Sequence, residues 1–141
     1  MQRRGAQRVG QARVRAAAEQ LRRGSGVAVA GGQVQGCLTV VIPNYRTADY
    51  TIRAAHALIA DGLPPHRIVV VENGSGDDSF ERCREALADC VLVRLEENVG
   101  FARAANIGAR ALEGTAYLFV NSDAFLHSPG TVQRLLAALD D

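Results

Sequence analysis

Lysine is absent: all 16 basic residues are arginine, which, with the abundance of alanine and glycine, reflects genome composition more than function. Cysteine is scarce. Cys37, Cys83 and Cys90 are too few and too irregularly spaced for a disulfide framework or a zinc site, so they read as small apolar packing residues in a reduced, cytoplasmic setting. No run reaches the roughly 18 apolar residues of a membrane helix, and Val27 to Ala30 is too short and too Gly-flanked for a signal-peptide core. A soluble chain with no transmembrane segment is expected. Neither the G-x-G-x-x-G nor the G-x-x-x-x-G-K pattern occurs in a loop after an apolar run. A phosphate ligand would therefore need a metal or isolated donors. His56, His66 and His127 are scattered without ligand spacing and receive no role.

What is present is enough for one globular domain: 141 residues, 48% of them hydrophobic. The net charge of +1 hides an asymmetry, because residues 1 to 35 hold seven arginines and one acid while the remainder holds nine arginines and fourteen acids. The body is mildly acidic and offers no electrostatic footprint for nucleic acid. From Arg3 to Arg23 the composition favours a helix whose apolar side, Val9, Ala12, Ala16 and Ala17, is small and buries little area. Gly24 to Gly36 is a Gly-rich linker. The organisation expected is a flexible arm and linker over residues 1–36 and a domain over 37–141. The arm reads as a solvated extension or an over-called start site in preference to a lipid-binding or transit-like segment.

After the linker, short apolar runs alternate with amphipathic stretches. Leu38 to Ile42, Arg67 to Val71, Val91 to Leu95 and Ala116 to Val120 have the length and Val/Leu content of strands buried on both faces. Three helices lie between them. Thr47 to Asp61 sets Ile52, Ala55 and Ile59 on one face and stops at Gly62; Ser79 to Leu87 follows Asp77 and Asp78; Phe101 to Leu112 ends before Gly114. A fourth is expected after Ser128 as cap and Pro129 as first helical residue, with Val132, Leu135, Leu136 and Leu139 facing inward. The order βαβαβαβα predicts an α/β fold, a parallel sheet with right-handed crossovers and helices on both faces. Ligands of such sheets bind beyond the carboxyl ends of the strands.

The loops at those ends begin Pro43-Asn44-Tyr45, Glu72-Asn73-Gly74-Ser75, Glu97-Asn98-Val99-Gly100-Phe101 and Asn121-Ser122-Asp123. With their strands they read V-V-I-P-N-Y, V-V-V-E-N-G-S, N-V-G-F-A-R-A-A-N-I-G and L-F-V-N-S-D-A. In this order and spacing, over about residues 38 to 140, the chain resembles the family 2 glycosyltransferases, most closely their rhamnosyltransferase-like branch. The resemblance implies a GT-A fold, Rossmann-like, whose first half binds a nucleotide-diphosphate sugar for inverting transfer. Its acceptor would be a polysaccharide, a lipid-linked or a small molecule, in cell wall or polysaccharide biosynthesis, in the cytoplasm or at the inner face of the membrane.

By the same resemblance Pro43 and Tyr45 wall the base, with Asn44 between them; Tyr45 is either a stacking face, worth about 1 to 3 kcal/mol per base, or a rim residue packed on its own helix. Glu72 stands where the family usually has Asp, the carboxylate that accepts the base imide N–H. Uracil and thymine present that N–H and adenine does not, which favours UDP- or dTDP-sugars; the other reading of Glu72 is a solvated acid. Asn73 and Ser75 either fix the turn or touch ligand. Asn98 belongs to the third loop, where Gly100 opens a helix N-terminus suited to an anion; Asn106 either contacts ligand or ties loops together. Asp123 matches the last acid of the family's D-x-D motif and would hold Mg²⁺ or Mn²⁺ against the diphosphate, unless it is a turn residue. Asn121 stands in place of the first acid, so the cation would lean on phosphate and water. Arg46 and Arg103 can reach a diphosphate but read as solvated helix residues.

No residue is assigned as the catalytic base. In the family that acid lies beyond the metal loop, and this sequence stops at Asp141, one helix after Asp123, so the expectation is a domain cut before its base and acceptor half, self-associating or completed by a partner. The competing reading is a non-catalytic nucleotide-binding or interaction domain that keeps the half-fold.

Overall fold

A computed structural model describes residues 38–139. The arm and linker over 1–36, and Cys37, lie outside the described residues. Four strands, β1 (Leu38–Asn44), β2 (Ile68–Asn73), β3 (Val91–Leu95) and β4 (Ala116–Phe119), alternate with helices α1 (Ala48–Ala60), α2 (Ser79–Ala86), α3 (Phe101–Ala111) and α4 (Thr131–Ala137). All pairings are parallel, in the order β3-β2-β1-β4. This is the expected α/β architecture.

β1 and β2 are buried throughout because each has a strand on both sides and helices above and below. On one face Val40, Ile42, Ile68 and Val70 join Ala55 and Leu58 of α1, Cys83 of α2, and Val132 and Leu136 of α4 in one core. On the other, α3 lies so close that a Cβ on Gly108 would stand 2.4 Å from Val41 Cγ1 and 2.8 Å from Val71 Cγ2. Glycine there is a packing requirement, since one methyl group would overpack two β-branched side chains.

Three expectations need correction. β3 and β4 are edge strands and only half-buried; Tyr117 and Phe119 of β4 are 39% and 46% exposed. A continuous apolar run does not distinguish an edge from a centre. On α1 the innermost residues are Thr51, Ala54, Ala55 and Leu58, with Ile52 and Ile59 as flanks. α4 begins at Thr131, not Pro129: the carboxylate of Asp61, just past α1, accepts the N–H groups of Gly130 (2.5 Å) and Val132 (2.8 Å). A long-range cap has displaced the local one, and Ser128 instead offers its carbonyl to the Thr131 hydroxyl at 2.6 Å. The helix is then too short to include Leu139, and Leu135 falls beside the Val132–Leu136 row, so both are exposed.

Candidate functional site

The chain leaves β1 in one direction to β2 and β3, and returns to its other side as β4, so the sheet reverses order between β1 and β4. Loops diverge at such a point and leave a crevice. A cavity of about 600 Å³ opens there, lined from all four strand ends.

At the end of β1, Asn44 is fully buried. Its Oδ1 accepts the hydroxyl of Thr51 at 2.7 Å and lies 3.2 Å from the hydroxyl of Thr47, which in turn lies 3.0 Å from the Ser122 hydroxyl on the far side of the crevice. Thr47 and Thr51 reach one amide because residues four apart share a helix face. The Asn44 Nδ2 is buried without a partner, a cost of about 1–3 kcal/mol for an unsatisfied donor. Tyr45 is 40% exposed at the rim, with the Arg46 guanidinium 5.1 Å from its ring centroid. Arg46 is not a helix residue as expected: it precedes α1 with φ +56°, its N–H donates to Ser75 Oγ at 2.9 Å and its Nε to the Ser75 carbonyl at 3.1 Å.

The β2 and β3 ends are laced together. Asn73 Oδ1 accepts the Val99 N–H at 3.0 Å, Asn73 Nδ2 donates to Asn98 Oδ1 at 3.1 Å, and that oxygen also accepts the Gly100 N–H at 2.9 Å. Gly74 packs against the backbone of this loop, where a Cβ would fall 2.2 Å from the Glu97 carbonyl carbon. Glu72 is buried, and its Oε1 accepts the Ser75 N–H at 2.8 Å. Asp77 caps α2 by accepting the Ser79 N–H at 2.9 Å; bonds to Ser79 hold its carboxyl below the usual range. Gly100 has φ +83° before α3, with open space where a side chain would project.

On the β4 side the Ala124 N–H closes a turn onto the Asn121 carbonyl at 3.0 Å. Phe125 supports the loop, 6.2 Å from the Tyr50 ring and 4.4 Å below the Arg53 guanidinium. Asp123 is exposed into the cavity. Among the described residues no group of three or more His, Cys, Asp or Glu could hold a metal ion. The donors present, the Asp123 carboxylate with the Asn121 side-chain oxygen beside it, are hard ligands that suit Mg²⁺ or Mn²⁺ if phosphate and water complete the shell.

Residues 39–141 match the family model described as "Glycosyl transferase family 2". The chain belongs to glycosyl transferase family 2. It is 33% identical over 88 residues to glycosyltransferase GlyA of Streptococcus pneumoniae, covering 61% of this chain and 13% of that protein. It is 29% identical over 102 residues to the uncharacterized glycosyltransferase alr2836 of Nostoc, covering 70% and 31%. The fold matches S. aureus TarS 1–349 in complex with UDP (TM-score 0.60, 26% identity, 74% of this chain and 32% of that one). It also matches the mannosyltransferase PcManGT of Pyrobaculum calidifontis in complex with GDP-Man and Mn²⁺ (TM-score 0.66, 20% identity, 94% and 43%), a likeness of fold alone. These neighbours establish the GT-A fold. The family 2 chain thus spans under half of each protein it matches here.

Of the residues singled out from this family 2 sequence, Pro43, Asn44, Tyr45, Asn73, Asn98, Gly100, Asn121 and Asp123 line the cavity; Glu72, Ser75 and Asn106 do not. Glu72 and Ser75 lie buried behind it, and Asn106 is exposed on α3. Thr47, Tyr50, Phe101, Ser122 and Phe125 also line it and were not foreseen as site residues. The signal available was the Thr47/Thr51 spacing after Asn44, and the position of Ser122 between two chosen residues. Among the described residues no helix is long and apolar enough to cross a membrane.

Proposed function

We propose that this domain binds the donor, a nucleotide-diphosphate sugar, for glycosyl transfer. The observation that carries the reading is the cavity at the β1/β4 crevice, where an aromatic rim, four amides and one carboxylate meet at the carboxyl ends of all four strands. Tyr45 is exposed enough to stack on a base, and the α3 N-terminus behind Gly100 offers free N–H groups to an anion. Glu72 lies buried behind the cavity with Oε1 on the Ser75 N–H, so it would read the base through its other carboxylate oxygen only if the side chain turned toward the ligand on binding. That carboxylate would accept the imide N–H of uracil or thymine, or the N1–H of guanine, and would discriminate against adenine. Asp123 would hold Mg²⁺ or Mn²⁺; when bound, the cation offsets charge on the departing nucleotide. Asn121, Asn98 and Asn73 would contribute neutral donors and acceptors.

The finer reading is an inverting enzyme of the rhamnosyltransferase-like branch, using a UDP- or dTDP-sugar in the cytoplasm or at the inner face of the membrane. It would build a polysaccharide or another cell-wall glycan on a polysaccharide, lipid-linked or small-molecule acceptor. Inversion requires a general base beside the acceptor hydroxyl. Among the described residues Asp123 is the only acid lining the cavity, so the base would come from elsewhere in the protein or from a partner, including a second copy of the chain. The same observation favours the second reading, a nucleotide-binding domain that performs no transfer by itself.

Titration calorimetry separates the parts. UDP is expected to bind more tightly than ADP, and Mn²⁺ to strengthen UDP binding in the parent but not in Asp123→Ala. Equal affinities for UDP and ADP would remove base reading; an unchanged Mn²⁺ increment in Asp123→Ala would remove the metal assignment.

A further inference from the structure

Asn44 cannot be read as a simple ligand contact. Its side chain is fully buried, its Oδ1 faces two hydroxyls, and its Nδ2 is left without a partner. A buried amide held at that cost has a reason to be where it is. Its Oδ1 holds the Thr47 hydroxyl, which spans the crevice to Ser122 at 3.0 Å. Ser122 is flanked by Asn121 and Asp123, and its loop continues only into the Asn121–Ala124 turn before Phe125 docks. The carboxylate at Asp123 therefore stands on a segment whose nearest tie to the β1 wall is a hydroxyl-to-hydroxyl bond.

We propose that Thr47, held by Asn44 and Thr51, is a positioning residue that fixes the Asp123 loop across the crevice through Ser122. The bridge sets where the carboxylate stands relative to a diphosphate bound against the β1 and β3 loops. This rests on the reading of the cavity as a site for a nucleoside diphosphate and a divalent cation. A bridge of this kind acts on the metal-dependent part of binding and leaves the base contacts unchanged, because Tyr45 and the β2–β3 loops are held by other bonds.

The test uses the full chain with UDP, with and without Mn²⁺. Thr47→Val and Ser122→Ala are each expected to cut the Mn²⁺-dependent gain in UDP affinity by about 3- to 10-fold, the scale of one hydrogen bond. Metal-free affinity should stay within about 2-fold, a change smaller than one hydrogen bond. Thr47→Ser should restore the gain, and the Thr47→Val/Ser122→Ala double variant should lose no more than Thr47→Val alone, since both single changes remove the same Thr47–Ser122 bond. A general loosening of the fold would weaken both measurements, and serine would not rescue it selectively.

An unchanged Mn²⁺ gain in Thr47→Val overturns the bridge and leaves the reading of the cavity intact. If the parent shows no Mn²⁺ gain, the metal reading of Asp123 falls, and hydrogen exchange in the ligand-free protein decides the bridge. Faster exchange at the Ala124 amide in Thr47→Val but not Thr47→Ser supports it, and equal exchange in parent and Thr47→Val overturns it.

Discussion

The two walls of the cavity are built differently. The wall from β1, β2 and β3 is cross-tied: Arg46 to Ser75, Ser75 to Glu72, Asn73 to Val99 and Asn98, with Gly74 pressed on the Glu97 backbone. The wall from β4 leaves an edge strand after the Val120 N–H bonds the Val41 carbonyl at 3.0 Å, and beyond that it is fastened by one turn, the Thr47 hydroxyl and the packing of Phe125 and Leu126. The first is preorganised and the second compliant. A site of this construction fixes the rigid, flat part of a ligand and lets the flexible, charged part draw its own contacts into place. Local stability follows the density of such ties, so the two walls should respond to mutation very differently.

The largest effect is expected at Gly74. Alanine there adds a positive-φ penalty, at φ +69°, to a direct backbone overlap, together about 3 kcal/mol or more. The melting temperature should fall by roughly 10 °C. Gly100→Ala meets open space, so it should cost only the backbone strain of φ +83° with ψ 163°, a conformation almost reserved for glycine, about 1–3 kcal/mol. Equal losses at the two positions would mean that the wall is not tightly packed.

Asn73→Ala removes the acceptor of the Val99 N–H and the link to Asn98, which should destabilise by about 1–3 kcal/mol. It should speed hydrogen exchange at Val99 and Gly100 and leave Ala124 unaffected. Coupled loss of protection at Ala124 would show that the walls move as one body.

A last effect, on alkaline stability, belongs to the core beneath the sheet and to neither wall. Burial pushes the thiols of Cys83 and Cys90 from 9.0 up to about 11. Folding then favours the protonated thiols, so stability should fall as the pH rises from 9 to 11, where the unfolded chain releases these protons and the folded chain keeps them. Urea midpoints at pH 8, 9.5 and 10.5 measure the slope, and Cys83→Ala should reduce it. A flat profile would place these thiols in contact with solvent.

Periodicity carried the fold a long way. The runs 38–42, 67–71 and 91–95 fall on strands, because parallel strands within a sheet need continuous apolar sequence. It failed where the deciding contact is remote: α4 starts where Asp61 caps it and not where Ser128 and Pro129 suggest, and no local pattern separates the edges from the centre. At the site, the strand-end rule brought eight of the selected residues to one cavity. What it could not supply was direction. Glu72 and Asn73 are neighbours on β2, yet the alternation of a strand sends the first toward the helix core and Ser75, and the second toward Asn98. Hydroxyls such as Thr47 and Ser122 are invisible as a pair until the crevice brings them together.

The position of β1 between β2 and β4 also sets a sequence of events in time. β2 follows β1 after a single helix, whereas β4 arrives only after α1, β2, α2, β3 and α3. Closing a longer loop costs more entropy, and distant pairings form late. As the chain is synthesised, β1, β2 and β3 can pair and the loop clips of Asn73 and Ser75 can close before Asp123 has emerged to join them. The nascent protein thus holds one flank of β1 open until β4 emerges, and of the four strand-end loops the acid-bearing one is set last, into a mould that already exists.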